Sequence, residues 1–285
     1  MIYHISLLLK PYLSFLNVIH YVTFRSIAAL LTTLCSTILF GDWFIGKSKL
    51  FFRSAARAFT PDTHRSKDNM PTMGGLLIIA MVVVNTLLWC NLFDFKVWFF
   101  LLLMIGFGLI GFWDDWCKIK KNKGISARLK FALQCLIAVA VSTALVLTGQ
   151  TLPVLCAPFF KCVCFYLGFY YLFWAVFIIV GCSNAVNLTD GLDGLAIGSL
   201  IPNFAIFSLI AYLAGHRYLA SYLCIAYAHT DQMAVIGAIL VGASLGFLWF
   251  NTYPAQIFMG DVGSLALGSA LAYIALVCKQ EFLLA

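Results

Sequence analysis

Apolar residues along this chain come in long unbroken blocks that are apolar all round. The blocks lie at about 20–46, 74–93, 96–113, 128–148, 164–183, 194–214, 232–250 and 262–284. A helix needs about 20 residues to cross roughly 30 Å of hydrocarbon, whereas a membrane strand is about half as long and alternates. The pattern predicts an all-α polytopic membrane protein with about eight transmembrane helices. The polar segments between blocks are too short for a soluble domain, so residues 1–285 are expected to form a single integral-membrane domain. Met1 to about Phe15 is apolar but carries Lys10, and it lacks the basic start and small-residue cleavage site of a signal peptide. It reads as an interfacial helix leading into the first span.

Composition agrees with a bilayer as solvent: 63% of residues are hydrophobic and 10% charged, against about 25% charged in soluble domains. The net charge of +7 does not point to nucleic acid, because the basic residues sit in short loops between spans, as topology requires. Lys47, Lys49, Arg53, Arg57, Arg65 and Lys67 follow the first span; Lys118, Lys120, Lys121, Lys123, Arg128 and Lys130 follow the third. Two spans separate these loops, so both lie on one face, which the positive-inside rule makes cytoplasmic. The N-terminus is then outside.

Acidic residues add something that topology does not demand. Asp62, Asp68, Asp114, Asp115, Asp190, Asp193 and Asp261 all fall on that same face, with Asp42 near it. The loops after the fifth and seventh spans hold carboxylates and no Lys or Arg, which makes an external cation such as Mg²⁺ a natural partner. The ten cysteines include no C-x-x-C pair and no zinc spacing. Cys156, Cys162 and Cys164 share one external loop, whose spacing admits a disulfide.

Four segments carry candidate chemistry. G-F-W-D-D-W-C-K places Asp114, Asp115 and Lys118 at the cytoplasmic end of the third span. Adjacent carboxylates repel and call for a cation, and Lys118 sits one turn from Asp114. S-N-A-V-N-L-T-D-G-L-D-G-L-A spaces Asn184, Asn187, Asp190 and Asp193 three apart, one polar stripe on a helix, with Gly191 and Gly194 loosening its end. Four such residues beside bilayer are costly without a purpose. F-L-W-F-N-T-Y-P-A-Q-I-F-M-G-D-V-G-S carries Asn251 and Asp261, the latter between Gly260 and Gly263. H-R-S-K-D-N-M-P-T-M-G-G offers Lys67 and Thr72 for a phosphate. Each has a plainer reading: a solvated helix end, a polar turn, an N-cap, ordinary basic topology residues. Their gathering on one face is what singles out a site. His216 and His229 lie on the other face and read as structural.

These strings closely resemble the phospho-N-acetylmuramoyl-pentapeptide transferases, a branch of the polyprenyl-phosphate N-acetylhexosamine-1-phosphate transferase superfamily. The resemblance runs from about Tyr12 to the last residue and is tightest in N-A-V-N-L-T-D-G-L-D-G-L-A and F-M-G-D-V-G-S-L-A-L-G. It implies a Mg²⁺-dependent enzyme of the bacterial inner membrane, acting at its cytoplasmic face in peptidoglycan synthesis. UDP-N-acetylmuramoyl-pentapeptide and undecaprenyl phosphate would give lipid I and UMP. By the same resemblance Asp261 is the Mg²⁺ ligand, Asp114 the base or nucleophile, and Asp115 its support. Lys67, Thr72, Asn187 and Asp190 line the nucleotide and phosphate pocket, Asp193 and Phe258 its uracil end, and Asn251 a further polar position. Lys118 and Lys130 match basic positions of the loop after the third span, and a homodimer is implied. Asn69 and Met70 stand before Pro71 where the family has Gly-Thr. The family has about ten spans and a late histidine loop, so the chain is expected to be truncated at its C-terminus.

Three other readings compete, one of them a fragment that keeps the fold but lacks turnover. A sibling enzyme would transfer N-acetylglucosamine-1-phosphate to the same lipid. A transporter would place ionisable residues at mid-span rather than at span ends.

Overall fold

The computed structural model describes residues 1–51, 71–121, 123–156 and 164–284. Lys67, with Asp62, Asp68 and Cys162, lies outside the described residues. The chain opens with a short helix α1 (Ile2–Leu9) and a 3-10 turn (Ser14–His20). Among the described residues eight long helices follow: α2 (Val22–Phe51), α3 (Gly75–Trp89), α4 (Phe95–Lys121), α5 (Ala127–Leu147), α6 (Tyr170–Thr189), α7 (Leu195–Gly215), α9 (Asp231–Asn251) and α10 (Gly260–Cys278). A six-residue helix α8 (Arg217–Tyr222) links α7 to α9. Among the described residues seven helices are long and apolar enough to cross a membrane, and α3, at 15 residues, is a shorter apolar helix. This is a multi-pass, all-α membrane fold, as the apolar blocks predict.

Several boundaries differ from the sequence expectation: α2 runs on to Phe51 and α4 to Lys121, past about 46 and 113, and two others have a local cause. The fifth span starts at Tyr170, not near 164, because Cys164–Tyr166 forms strand β2, antiparallel to β1 (Val154–Cys156). Its Phe and Tyr suit a short strand as well as a span, so hydropathy alone cannot separate the two. A Cys156–Cys164 disulfide closes this hairpin. The eighth span ends at Cys278, not near 284, where Lys279 turns left-handed at φ 59° and stops the helix.

Helices α9 and α10 form the centre. Every residue from Val262 to Cys278 is buried, with α10 packed on α3, α4, α6 and α7, while α9 packs on α2, α3 and α7. Apolar side chains gain little by leaving lipid for one another, so small residues that let backbones close in decide such packing. A Cβ on Gly75 of α3 would stand 2.1 Å from the Gly263 nitrogen of α10. One on Gly111 of α4 would stand 2.3 Å from the Asp261 carbonyl oxygen. These two contacts bring α3 and α4 against the first turn of α10, where the chemistry-bearing residues collect.

Candidate active site

At one end of the helices, the last turns of α4 and α6, the start of α5 and the first turn of α10 converge. Asp114 and Asp115 are buried in α4, and Asp261 is half-buried in α10. One carboxylate oxygen from each lies within 4.8 Å of the others, a grouping able to hold a metal ion. Two ammonium groups sit among them. Lys118 Nζ is 2.8 Å from Asp114 Oδ2, 3.2 Å from Asp115 Oδ1 and 2.8 Å from Asp261 Oδ2. Lys130 Nζ is 2.6 Å from Asp261 Oδ2 and 3.5 Å from Asp114 Oδ2. Three carboxylates this close repel strongly, and the two lysines offset that repulsion.

Backbone and amide donors fix the carboxylates further. Ile125 N–H donates to Asp114 Oδ1 at 2.8 Å, so the loop before α5 wraps the end of α4. Val262 N–H reaches Asp115 Oδ2 at 3.4 Å. Asn187 Nδ2 donates both to Asp261 Oδ1 at 3.0 Å and to Ser264 Oγ at 2.8 Å, and Ser264 donates to the Gly260 carbonyl at 3.1 Å. Gly260 is left-handed at φ 73°, and a Cβ there would meet Asp115 Oδ2 at 2.6 Å, so both conformation and space favour glycine. Asp190, in the turn after α6, lies close to the Gly260 backbone. Burial, then the neighbouring Asp261 and Asp115 charges, push its carboxyl up from 3.8 to about 7.

The structure brings Asp114, Asp115, Lys118, Asn187, Asp190 and Asp261 together at this end of the helices. The resemblance implies Asp261 alone as metal ligand; Asp114 and Asp115 stand beside it in a grouping that could hold a metal ion. Of the remaining described candidates, Thr72, Asp193 and Phe258 lie on the adjoining loops and Asn251 ends α9. Phe258 N–H donates to the Pro71 carbonyl at 3.0 Å and Gly74 N–H to the Phe258 carbonyl at 2.8 Å, which ties the segment carrying Thr72 to the one leading into Asp261. Ala255 N–H lies 3.4 Å from Asp193 Oδ2. Asn251 is buried with its amide used inside the chain: Nδ2 donates to the Ile257 carbonyl at 2.9 Å and Oδ1 accepts from Gly194 N–H at 3.1 Å. These bonds brace the loop that leads to Phe258. Ser264 was not singled out from sequence; its position three residues after Asp261 in G-D-V-G-S, on the same helix face, was the available signal.

The fold and this cluster define a class: a multi-pass membrane protein with a carboxylate–lysine centre, suited to phosphate and divalent-cation chemistry, at one end of its helices. Glycosyl transferase family 4 matches residues 97–279. The phospho-N-acetylmuramoyl-pentapeptide-transferases of Syntrophus aciditrophicus and Solidesulfovibrio magneticus are each 47% identical, over 289 and 287 aligned residues. That of Aquifex aeolicus is 46% identical over 290 residues. Each alignment covers 100% of this chain and 80% of the relative. The chain belongs to the phospho-N-acetylmuramoyl-pentapeptide-transferase family.

Proposed function

We propose that this chain transfers phospho-N-acetylmuramoyl-pentapeptide from its UDP conjugate to undecaprenyl phosphate, giving lipid I and UMP. The observation that carries the reading is the meeting of three carboxylates and two lysines at 2.6–3.5 Å at one end of a helical membrane fold. Pyrophosphate transfer needs positioning and charge neutralisation more than covalent chemistry, and this mixture supplies both. The site end faces the cytoplasm and the disulfide-closed hairpin faces the oxidising outside of a bacterial inner membrane, which the basic residues of the α4–α5 connection support.

The donor set fits Mg²⁺, a hard cation that takes carboxylate oxygens. Asp114, Asp115 and Asp261 would hold it, and the ion would spread the charge of the pyrophosphate and departing UMP. The chain's own residues do the rest. Asp114 Oδ1 is held by Ile125 N–H, and Oδ2, which faces Lys118 at 2.8 Å, takes the proton of the lipid phosphate once Lys118 turns to the substrate. A lipid phosphate oxygen attacks the sugar-linked phosphorus, and the new P–O bond forms as the bond to the UMP oxygen breaks. Lys118, 36% exposed and so the freer of the two lysines, turns from the carboxylates to a pyrophosphate oxygen. Lys130, Asn187 and Ser264 hold Asp261 in place. Lys67, Thr72 and Asp190 line the phosphate and nucleotide, Asp193 and Phe258 border the uracil, and Asn251 fixes the loop between them. The working form is a homodimer.

The test is UMP release by the purified chain with UDP-N-acetylmuramoyl-pentapeptide, undecaprenyl phosphate and Mg²⁺. Release that needs lipid and Mg²⁺ and is lost in Asp261→Ala supports the reading. Release from UDP-N-acetylglucosamine alone would replace it with the sibling activity.

A further inference from the structure

Two helices place a donor on opposite oxygens of Asp261. Lys130 of α5 reaches Oδ2 at 2.6 Å, and Asn187 of α6 reaches Oδ1 at 3.0 Å. One turn deeper along each helix sits an amide side chain: Gln134, four residues after Lys130, and Asn184, three before Asn187. These two amides pair with each other. Asn184 Nδ2 donates to Gln134 Oε1 at 2.8 Å, and Gln134 Nε2 lies 3.5 Å from Asn184 Oδ1. Asn184 Nδ2 also donates to the Val180 carbonyl at 2.8 Å, one turn back in its own helix. Gln134 is fully buried.

The placement has a consequence for the centre. Packing of apolar side chains alone tolerates sliding of one membrane helix along another, because lipid competes equally for those surfaces. An amide pair does not tolerate it. A slip of one residue turns each amide about 100° round its helix and leaves buried donors and acceptors unpaired in an apolar medium, which is expensive. Helix α5 packs on α4 and α6, and it meets Asp261 of α10 through the long, flexible side chain of Lys130. The register of α5 on α6 therefore decides where that ammonium ends.

We propose that Gln134 and Asn184 are positioning residues for the transfer centre: their paired amides set the register of α5 against α6, so that Lys130 and Asn187 hold Asp261 from its two sides. The turnover arm of the test rests on the function proposed above; the labelling arm does not.

The experiment compares the full chain with Gln134→Leu, with Asn184→Leu and with the exchange variant Gln134→Asn/Asn184→Gln. Two quantities are read on protein that elutes as a single species in detergent. One is the rate of acetylation of Lys130 relative to the exposed Lys120 and Lys121, followed by peptide mass spectrometry. The other is UMP release at varied nucleotide-sugar concentration. In the Leu variants Lys130 acetylation should rise at least fivefold relative to Lys120 and Lys121, and kcat should fall at least tenfold with KM within twofold. The exchange variant should bring both back to within threefold of the parent. Folded Leu variants with labelling and kcat within twofold of the parent would overturn the proposal, as would an exchange variant no better than the Leu variants. If the Leu variants do not fold, Gln134→Asn alone decides by the same thresholds, since it keeps the amide but shortens its reach. If the parent releases no UMP, the functional reading fails and the Lys130 labelling decides by itself.

Discussion

Lys118 and Asp261, 143 positions apart in the chain, meet at 2.8 Å between Nζ and Oδ2. The same ammonium lies 2.8 Å from Asp114 and 3.2 Å from Asp115 within its own helix. It therefore ties the end of α4 to the start of α10 across a carboxylate cluster that repels itself. Lys130 adds a second tie to Asp261 from α5. The two lysines are not equivalent: Lys118 is 36% exposed and Lys130 16%. In the mechanism proposed above, the more accessible one turns to a substrate phosphate and the other remains as a strut.

The first prediction follows from that difference. Lys118→Gln is expected to lower kcat for UMP release about 100-fold, the scale for losing one preorganised charge-stabilising donor. The protein stays folded because Lys130 still holds Asp261. Lys118→Arg should recover only part of the rate, since a planar fork does not replace a compact point charge. A Lys118→Gln variant keeping more than half the parent rate would remove Lys118 from the mechanism.

A second prediction concerns the helix contact beneath the cluster. In Gly111→Ala the new methyl meets backbone on α10, 2.3 Å from the Asp261 carbonyl oxygen and 2.6 Å from the Val262 nitrogen. These atoms form one backbone peptide of α10, which cannot give way cheaply, so the expected destabilisation is about 1–3 kcal/mol, with a fall in turnover. Gly106→Ala on the same helix is the control: its methyl meets the flexible end of Ile137 at 3.0 Å. Equal melting temperatures for the two variants would contradict this account of how α4 approaches Asp261.

The third concerns pH. The Asp190 carboxyl is raised from 3.8 to about 7, first by burial and then by the Asp261 and Asp115 charges. A raised carboxyl favours the folded state while it is protonated. That contribution is complete below pH 3.8 and is lost as pH rises through about 7. In EDTA, Asp190→Asn should therefore gain melting temperature relative to the parent between pH 5 and pH 8. A difference that is flat across this window, or that shrinks, would be evidence against a buried, charge-crowded Asp190.

The sequence made most of the fold legible because a bilayer leaves so few solutions. A 20-residue apolar block has no alternative to a helix, and α2, α4, α5, α7 and α9 fall where the blocks lie. The hairpin Val154–Cys156/Cys164–Tyr166 was not legible, since three-residue strands show no period. In the site, Asp114, Asp115, Asp190 and Asp261 stood out because a carboxylate beside lipid needs a reason. Gln134 and Ser264 did not, because a single amide or hydroxyl in a span is satisfied by a neighbouring backbone or side chain as readily as it serves chemistry. Asn251 also bonds within the chain, to the Ile257 carbonyl and the Gly194 N–H, a bracing role that no one-dimensional pattern reveals.

The last prediction tests which end of the bundle meets which compartment. Cys156 and Cys164 are disulfide-bonded, Cys224 is free and exposed, and Cys117 is free in the last turns of α4 beside Lys118. Following the helices, Cys224 and the hairpin lie at the end opposite the carboxylate cluster. In spheroplasts of a Cys162→Ser background, a membrane-impermeant maleimide should modify Cys224 at once and Cys156 and Cys164 only after a reductant. Cys117 should react only after permeabilisation, as peptide mass spectrometry would show. The argument is chemical as well as topological. Disulfides persist outside the cytoplasm and nucleotide sugars are made within it, so a transferase that uses them must keep its centre on the side away from the hairpin. Cys117 reacting first, with Cys224 protected, would turn the molecule over and put the proposed donor on the wrong side of the membrane.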